Sequence, residues 1–275
     1  MSALDTGRLS ALDEARDVLA ALDADRAIAV ATRLDDTDAG ARLFVDAAGA
    51  RGTLGDEALD RDAAAAARAA LDAGGYEAGT ITLGTARVLV DVHRPTPALF
   101  VVGAGHISVP LARIAAIAGF RVTVLDDRED FADAARFERD ARVLRMDPTR
   151  PFAEARPGRD AYVVLVTRAH RYDYECLRDL LAHEPLPRYV GMIGSRRRVR
   201  AAFHALLEAG VPRESIARVR APLGLDIGAQ TPEEIAVSVV AEMVAVRRGV
   251  AERDDAGAPL AAREAVLDRF FPRSP

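Results

Sequence analysis

The fold is decided by the stretch LFVVGAGHIS, which occupies residues 99–108. Its apolar first half is typical of a buried strand, and its end opens a helix that the periodicity carries to Ala118. Gly103 permits a tight turn, Gly105 lets the backbone approach a pyrophosphate, and Ser108 is small enough for close helix–strand packing. Such a glycine pattern is a weak signal by itself. Here it stands between a strand and a helix, as phosphate binding at a helix N-terminus requires.

Strands and helices alternate on the C-terminal side of this stretch. The strands are apolar and β-branched throughout, so they predict a parallel sheet that is covered on both faces. A capping box at Thr231 and Glu234, with Pro232 at the first helical position, marks the start of the last helix. We therefore predict a Rossmann-like, doubly wound α/β domain. The predicted strands are 99–103, 121–125, 141–145, 162–167, 189–193 and 216–219, and the predicted helices are 107–118, 174–182, 196–209 and 232–248.

The residues before this domain predict a smaller α+β domain. We place residues 1–95 in the first domain, 96–249 in the second and 250–275 in a charged C-terminal tail. The boundary falls at Arg94-Pro95-Thr96-Pro97, because prolines punctuate and stiffen linkers. Glycines at positions 49, 52 and 55 are interpreted as turns. The predicted strands of the first domain are 27–31, 43–45 and 88–92, and its predicted helices are 1–25 and 57–72.

Composition excludes several classes of protein. Of the 275 residues, 50% are hydrophobic, so a sizeable core can be buried. No apolar run reaches the roughly 18 residues that span a bilayer, and the N-terminus lacks the plan of a signal peptide, so we expect a cytoplasmic protein without a membrane partner. The formal charge of −5 gives no electrostatic reason to expect nucleic acid. A single cysteine excludes a disulfide framework and a multi-cysteine zinc site, and we assign no metal site.

Polar residues follow the second strand at the edge where open α/β sheets bind ligands. Asp126 ends that strand about 20 residues beyond the glycines, where an acid accepts hydrogen bonds from a ribose. Arg128 beside it leaves room for a 2′-phosphate. Asp126 could instead cap the next helix, and His106 in the glycine stretch could be a phosphate neighbour or a surface residue.

The segment TRAHRYD, residues 167–173, follows the fourth strand at the same edge. Thr167 and His170 are candidate ligand-binding residues, and His170 with Asp173 could form an oriented base. Alternatively, Asp173 caps the helix and His170 is solvent-exposed. Cys176 lies in the first turn of that helix, where the dipole lowers a thiol pKa, or it is a small buried apolar residue. The catalytic candidates are therefore His170, Asp173 and Cys176.

Two further loops complete the predicted site. Gly194, Ser195 and Arg196 open a helix that carries three arginines in its first turn. Arginines there oppose the helix dipole unless an anion binds nearby, although a solvated charge run is the alternative. Asp226 is the only charge in an apolar, glycine-rich loop, and we predict that it points inward over the site unless it caps a turn.

These segments together resemble one family. They are similar, in the same order, to the C-terminal domain of the XdhC/CoxI family of xanthine dehydrogenase accessory proteins, over about residues 97–249. The matching segments are GAGHIS, DDR at 126–128, TRAHRYD, GMIGSRRR and APLGLDIGAQTPEEIAVSVVAEMV. The resemblance implies a homodimeric accessory factor that binds molybdenum cofactor, assists its sulfuration by a cysteine desulfurase and passes it to a xanthine dehydrogenase-type molybdenum hydroxylase.

The first domain matches the family less closely. Many members carry a Gly-Ser-x-Pro-Arg stretch and a Gly-Gly-Cys-Val-Glu stretch there. This sequence has LDDTD at residues 34–38 and GDEAL at residues 55–59, without a cysteine. If the family's cysteine serves sulfur chemistry, this protein lacks it or uses Cys176.

Two ligand classes fit the predicted site. Molybdopterin carries a phosphate, and its dinucleotide forms add a pyrophosphate and a ribose, which the glycine loop, Asp126 and the arginines could hold. The same groups could hold NAD(P), so an NAD(P)-dependent oxidoreductase with His170 as proton donor is the alternative. A third hypothesis is a nucleotide-binding regulatory module whose tail, with Phe270 and Phe271, docks a partner. The resemblance favours a non-catalytic cofactor chaperone over an enzyme.

Overall fold

The computed structural model describes residues 10–35, 38–73, 78–168, 170–182 and 185–250, without the side chain of His170. The chain divides into two units. One comprises residues 1–95 with 247–249, and the other comprises residues 96–246 with 250–275. The predicted tail beyond residue 250 lies outside the described residues.

The first unit is an antiparallel sheet between two helices. Its elements are α1 (Ala11–Asp23), β1 (Ile28–Arg33), β2 (Arg42–Asp46), β3 (Gly49–Thr53), α2 (Glu57–Ala73), β4 (Gly79–Leu83) and β5 (Ala86–His93). The strands within the described residues have the order β3-β2-β1-β5-β4. Ala29 and Ala31 of β1 pack with α2, whereas Ile28 and Val30 pack with α1, because successive side chains of a strand point to opposite faces.

Two strands of the first unit differ from the sequence prediction. Gly49–Thr53 is not a series of turns but strand β3, which pairs with β2 from Gly49 opposite Asp46 to Thr53 opposite Arg42. Gly49 and Gly52 do have positive φ angles. This glycine-rich edge strand owes its conformation to pairing with β2, and its own residues carry little strand propensity. Strand β4 at Gly79–Leu83 was not predicted and pairs with β5.

The second unit has the predicted doubly wound architecture. Its elements are β6 (Ala98–Val102), α3 (Ser108–Ile117), β7 (Arg121–Asp126), β8 (Ala141–Arg145), β9 (Tyr162–Leu165), α4 (His170–Leu181), β10 (Tyr189–Met192), α5 (Arg196–Glu208), α6 (Arg213–Ala217), β11 (Val219–Arg220) and α7 (Pro232–Arg247). The described strands of this unit form a parallel sheet of order β11-β10-β9-β6-β7-β8. The Rossmann-like fold is confirmed.

Both faces of the parallel sheet are buried. Leu99 and Val101 of β6 pack on the side of α3 and α7, while Phe100 and Val102 pack on the side of α4 and α5. The chain runs from β6 to β7 and β8 on one side, and then returns to β9 on the other side of β6. The carboxyl ends of β6 and β9 therefore form the switch point where such sheets bind ligands.

The sixth strand was only partly predicted. Ile216 lies in the short helix α6, and the strand is limited to Val219 and Arg220. Pro212 precedes α6, and its carbonyl accepts hydrogen bonds from the N–H groups of Ser215 and Ile216. The apolar Ile216 is buried as a helical residue because this proline starts a turn before the strand can begin.

Candidate functional site

Gly103 directly follows β6 and lies close to the main chain of the two neighbouring strands. Its φ is +102°, in the left-handed region. A Cβ at this position would lie 2.7 Å from the carbonyl oxygen of Val166, which follows β9. On the other side, its N–H donates to the carbonyl of Leu125 in β7 at 2.7 Å. Only glycine satisfies both the dihedral angle and the close approach.

The phosphate loop, residues 103–108, presents free donors at the start of α3. Within the described part of the chain, the N–H groups of Gly105, His106 and Ile107 donate to no protein acceptor. A Cβ at Gly105 would meet nothing within 4 Å, so space is open in front of the loop. Ser108 is fully buried and its hydroxyl donates to the carbonyl of Gly103, which fixes the turn. The loop thus has the form of an anion site.

Asp126 holds the phosphate loop and is not open to a ligand. Its carboxylate accepts hydrogen bonds from the N–H of Ala104 at 2.7 Å and from the guanidinium of Arg128 at 2.9 and 3.0 Å. Burial by itself raises the pKa of Asp126, but these hydrogen bonds outweigh burial and lower the pKa below its ordinary value. The expected ribose contact would therefore require the displacement of Arg128.

Two arginines and an aromatic ring flank the loop next to Asp126. The guanidinium of Arg128 lies 3.4 Å from the centre of the Phe131 ring. Arg136 donates to the carbonyl of Ala104 at 2.8 Å and to that of Phe131 at 3.1 Å. Arg136 was not predicted to belong to the site, because nothing in its local pattern indicates a contact with a loop about 30 residues earlier.

Asp173 is a structural carboxylate and not a base with access to solvent. It is completely buried, and it accepts a hydrogen bond from the hydroxyl of Thr167 at 2.6 Å. The guanidinium of Arg198 in α5 bonds to the other carboxylate oxygen at 2.6 Å and to the carbonyl of Thr167 at 2.8 Å. Thr167, Asp173 and Arg198 therefore fasten the loop after β9 to α4 and α5. The side chain of His170 lies outside the described part of the chain.

The start of α5 does not form a cluster of three anion-binding arginines. Ser195 caps the helix and accepts a hydrogen bond from the N–H of Arg198. The side chain of Arg198 is already paired with Asp173, while Arg196 and Arg197 are exposed. A Cβ at Gly194 would lie 3.1 Å from the Arg198 side chain, so this glycine makes room for that arginine.

The ion pair between Arg168 and Asp127 joins the loop after β7 to the loop after β9. Arg168 donates to the carboxylate of Asp127 at 2.9 Å, and the hydroxyl of Tyr172 donates to the same oxygen at 3.2 Å. Arg168 also contacts the Tyr172 hydroxyl and lies over its ring. The side chains of Arg168 and Asp127 are 41% and 18% exposed. This pairing was not predicted from the sequence.

The loop at residues 221–231 packs on α7 but does not direct Asp226 inward. Asp226 is exposed, contrary to the prediction. The anchor is Glu242 of α7, which is completely buried and pairs with Arg220 at 2.9 Å. Glu242 also accepts hydrogen bonds from the hydroxyl of Tyr189 at 2.6 Å and from the N–H of Gly224 at 2.8 Å. A single acid within the mostly apolar run of residues 235–246 was the signal that could have revealed this anchor.

Cys176 is a buried core residue, and the alternative of a reactive thiol is wrong. It belongs to the cluster of apolar side chains between the sheet and α4. Burial, followed by the negative charges of Asp173 and its neighbours, raises the pKa of the Cys176 thiol far above its ordinary value. A thiol in this environment stays protonated and is not a nucleophile.

Among the described residues, no group of three or more His, Cys, Asp and Glu side chains is placed to hold a metal ion. His106 lies within the phosphate loop and its side chain is exposed. None of the helices in the described ranges is long and apolar enough to cross a membrane. Phe270 and Phe271 lie outside the described residues.

Two curated proteins are similar in sequence to part of the chain. "Uncharacterized protein YqeB" of Escherichia coli (strain K12) is 36% identical over 182 residues, which is 66% of this chain and 32% of that protein. A protein of Bacillus subtilis (strain 168), described as a probable xanthine dehydrogenase subunit, is 32% identical over 167 residues, which is 61% of this chain and 48% of that protein. The chain therefore spans about a third of the first relative and about half of the second.

A solved structure supports the fold. The crystal structure described as a xanthine dehydrogenase from Bacillus halodurans superposes with a TM-score of 0.51 at 19% identity, over 93% of this chain and 99% of that one. At this identity, the likeness concerns the fold alone. The family model described as "XdhC Rossmann domain" matches residues 99–243, which is more than half of the chain and confirms the resemblance of its motifs. The chain belongs to the XdhC family, and its second unit is the Rossmann domain of that family.

Proposed function

We propose that this protein binds the molybdenum cofactor, holds it while a cysteine desulfurase adds the terminal sulfur, and passes it to a xanthine dehydrogenase-type molybdenum hydroxylase. Family membership and the name of the Bacillus subtilis relative support a role alongside xanthine dehydrogenase. The observation that carries cofactor binding is the anion site at the phosphate loop. A homodimer and a cytoplasmic location stay predictions.

The cofactor would be cargo in this protein, and its phosphate fits the donors that the loop offers. A phosphate needs several hydrogen-bond donors and positive potential. Three consecutive free N–H groups, at residues 105–107, lie at the positive end of the α3 dipole. The open face at Gly105 leaves room for the phosphate oxygens. These features support binding of a phosphate monoester by the main chain.

The contacts of Asp126 favour such a ligand over NAD(P). A dinucleotide seated on this loop would place its ribose against the acid that ends the second strand. Here both oxygens of that acid are hydrogen-bonded, and its side chain is only 3% exposed. Arg128, which would have to move, is held by Asp126 and by the ring of Phe131. For the same reason, molybdopterin is favoured over its dinucleotide forms.

The described side chains are better suited to holding the cofactor than to catalysing a reaction on it. Asp173 is buried and paired with Arg198, and the thiol of Cys176 is buried, which raises its pKa. Neither side chain is placed to remove a proton from a bound ligand or to carry a sulfur atom. We therefore assign sulfur transfer to the partner desulfurase.

Calorimetric titration with molybdenum cofactor, released anaerobically from a molybdenum hydroxylase, tests this proposal. We expect saturable binding that is tighter than the binding of NAD⁺ or NADP⁺. G105A should bind the cofactor at least about tenfold more weakly, because its methyl group fills the space that the phosphate needs. G158A is the matched control, since a Cβ there also meets nothing within 4 Å.

Both variants should unfold at the wild-type temperature. Tight NAD⁺ binding without cofactor binding would refute the proposal, and so would wild-type cofactor affinity in G105A.

A further inference from the structure

The loops after β7 and β9 are joined across the end of the strand between them. Strand β6 lies between these two strands, and neighbouring strands are about 4.8 Å apart, so the link spans about 10 Å. The link consists of Asp127, Arg168 and Tyr172. The phosphate loop starts at the end of β6, and a Cβ at Gly103 would lie 3.2 Å from the Cα of Thr167, the residue before Arg168. The link therefore lies at the same edge of the sheet as the phosphate loop, one residue beyond a direct contact with it.

Among Arg128, Arg168 and Arg198, which each pair with a carboxylate near the loop, Arg168 has the most exposed partner. Arg128 and Arg198 are paired with carboxylates that are 3% and 0% exposed, whereas the side chain of Asp127 is 18% exposed and that of Arg168 is 41% exposed. Partly exposed ion pairs contribute little to stability and open readily. Arg168 can thus leave Asp127 at a lower cost than the other two arginines can leave their partners.

We propose that Arg168 binds the phosphate of the cargo, and that Asp127 is an internal competitor that holds the Arg168 guanidinium until the phosphate replaces its carboxylate. A guanidinium donates to carboxylate and phosphate oxygens alike, so a phosphate oxygen can replace the one Asp127 oxygen that Arg168 contacts. The phosphate carries up to twice the charge of the carboxylate and also receives the N–H groups of the loop. The proposal rests on the proposed function, whose phosphate site it extends by one residue.

If the exchange occurs, substitutions of Asp127 and of Arg168 change the affinity for phosphate in opposite directions. Removing the charge of Asp127 frees Arg168 and also removes an anion that repels the phosphate. Removing the charge of Arg168 deletes a ligand of the phosphate. If the pair were only a strut between two loops, the loss of either partner would loosen the site and weaken binding in the same direction.

The full-length variants D127N and R168Q are titrated with the molybdenum cofactor and, separately, with inorganic phosphate. We expect D127N to bind two- to about fivefold more tightly, which is the range of a partly exposed ion pair. R168Q should bind at least about tenfold more weakly, as for the loss of a hydrogen bond to a charged group. Y172F keeps both charges while it loosens the pair, and should bind up to about twofold more tightly.

The matched controls are D160N and R188Q. Asp160 and Arg188 form an ion pair of 2.7 Å just before β9 and β10, at the opposite edge of the same sheet. Their substitutions change the net charge as D127N and R168Q do, so they report any long-range electrostatic effect. We expect the controls to bind with wild-type affinity. The thermal unfolding of every variant is measured, and affinities are compared only among variants that unfold at the wild-type temperature.

Weaker binding in both D127N and R168Q, or unchanged binding in both, would overturn the exchange. Shifts in D160N and R188Q as large as those at the link would do the same. If the wild-type protein binds inorganic phosphate with the expected opposite effects but does not bind the cofactor, the exchange holds and the proposed function fails. If the cofactor binds to the wild type and the variants alike, the function stands and the exchange is wrong.

Discussion

Gly103 and Gly105 lie two residues apart in the phosphate loop and are glycines for different reasons. Gly103 is needed by the fold, because its φ of +102° and its approach to the Val166 carbonyl leave no place for a Cβ. Gly105 has space around it, so the fold itself does not require glycine there, and we propose that its missing side chain makes room for the phosphate of the cofactor. One substitution to alanine therefore tests stability, and the other tests binding.

We expect G103A to lower the free energy of unfolding by about 2–4 kcal/mol, from the left-handed backbone and the clash with the Val166 carbonyl together. Urea unfolding measures this change. G158A, whose new methyl group meets nothing within 4 Å, should stay within about 0.5 kcal/mol of the wild type. Equal stability of G103A and G158A would show that the turn relaxes without cost.

At the scale of elements, one buried carboxylate links α7 to β10 and β11, in addition to the apolar side chains of α7 that pack on the sheet. The carboxylate of Glu242 accepts hydrogen bonds from Arg220 of β11, from Tyr189 of β10 and from the N–H of Gly224. Burial, then the charge of Glu242, raises the pKa of Tyr189 well above its ordinary value, so its hydroxyl stays a donor. The network holds the loop after β11 at the carboxyl edge of the sheet, where the phosphate loop also lies.

The variants E242L and R220M should each cost about 3–5 kcal/mol of stability, because each leaves a buried charge without its partner. The double variant should cost at least about 2 kcal/mol less than the sum of the two. Chemical denaturation of the four proteins gives this coupling. If a single variant does not fold, recovery of soluble protein in the double variant is the readout.

The pair Arg145–Glu129 provides the contrast for that cycle. Its side chains are 66% and 84% exposed. Removing either partner should change stability by less than about 1 kcal/mol. Additive losses at Glu242 and Arg220, like those expected of the exposed pair, would mean that the buried charges are not coupled.

At the scale of the whole molecule, the second unit contains its own core and the entire candidate site. Two clusters of buried side chains cover the two faces of its sheet. We expect a fragment of residues 96–250 to unfold cooperatively and to bind the cofactor within about threefold of the full-length affinity. Circular dichroism and calorimetric titration test this. A folded fragment that has lost binding would show that the first unit contributes to the site.

The architecture of the second unit could be predicted because its signals are local. The apolar runs, the glycine loop and the capping box at Thr231 and Glu234 each lie within a few residues of sequence, and each is confirmed. The ion pairs could not be predicted in the same way. The sequence offers 37 basic and 42 acidic side chains, and only the tertiary structure selects Asp173 for Arg198 and Glu242 for Arg220.

The same limit explains why the sequence did not predict the partners of two acids at the site. Asp126 and Asp173 were expected to face a ligand because they end or follow strands at the correct edge. Both carboxylates are instead paired with arginines of the protein. Strand β3 was missed because its glycines obscure a conformation that β2 imposes on it.

The free N–H groups at residues 105–107 have a consequence for how the site tolerates variation. Main-chain donors are shared by every amino acid except proline, so a scan that trims side chains to alanine would leave them in place. The substitutions that reveal them are those that add atoms or remove the N–H itself. A site of this kind can be retained while its side chains vary in sequence, because its donors depend on the conformation of the backbone.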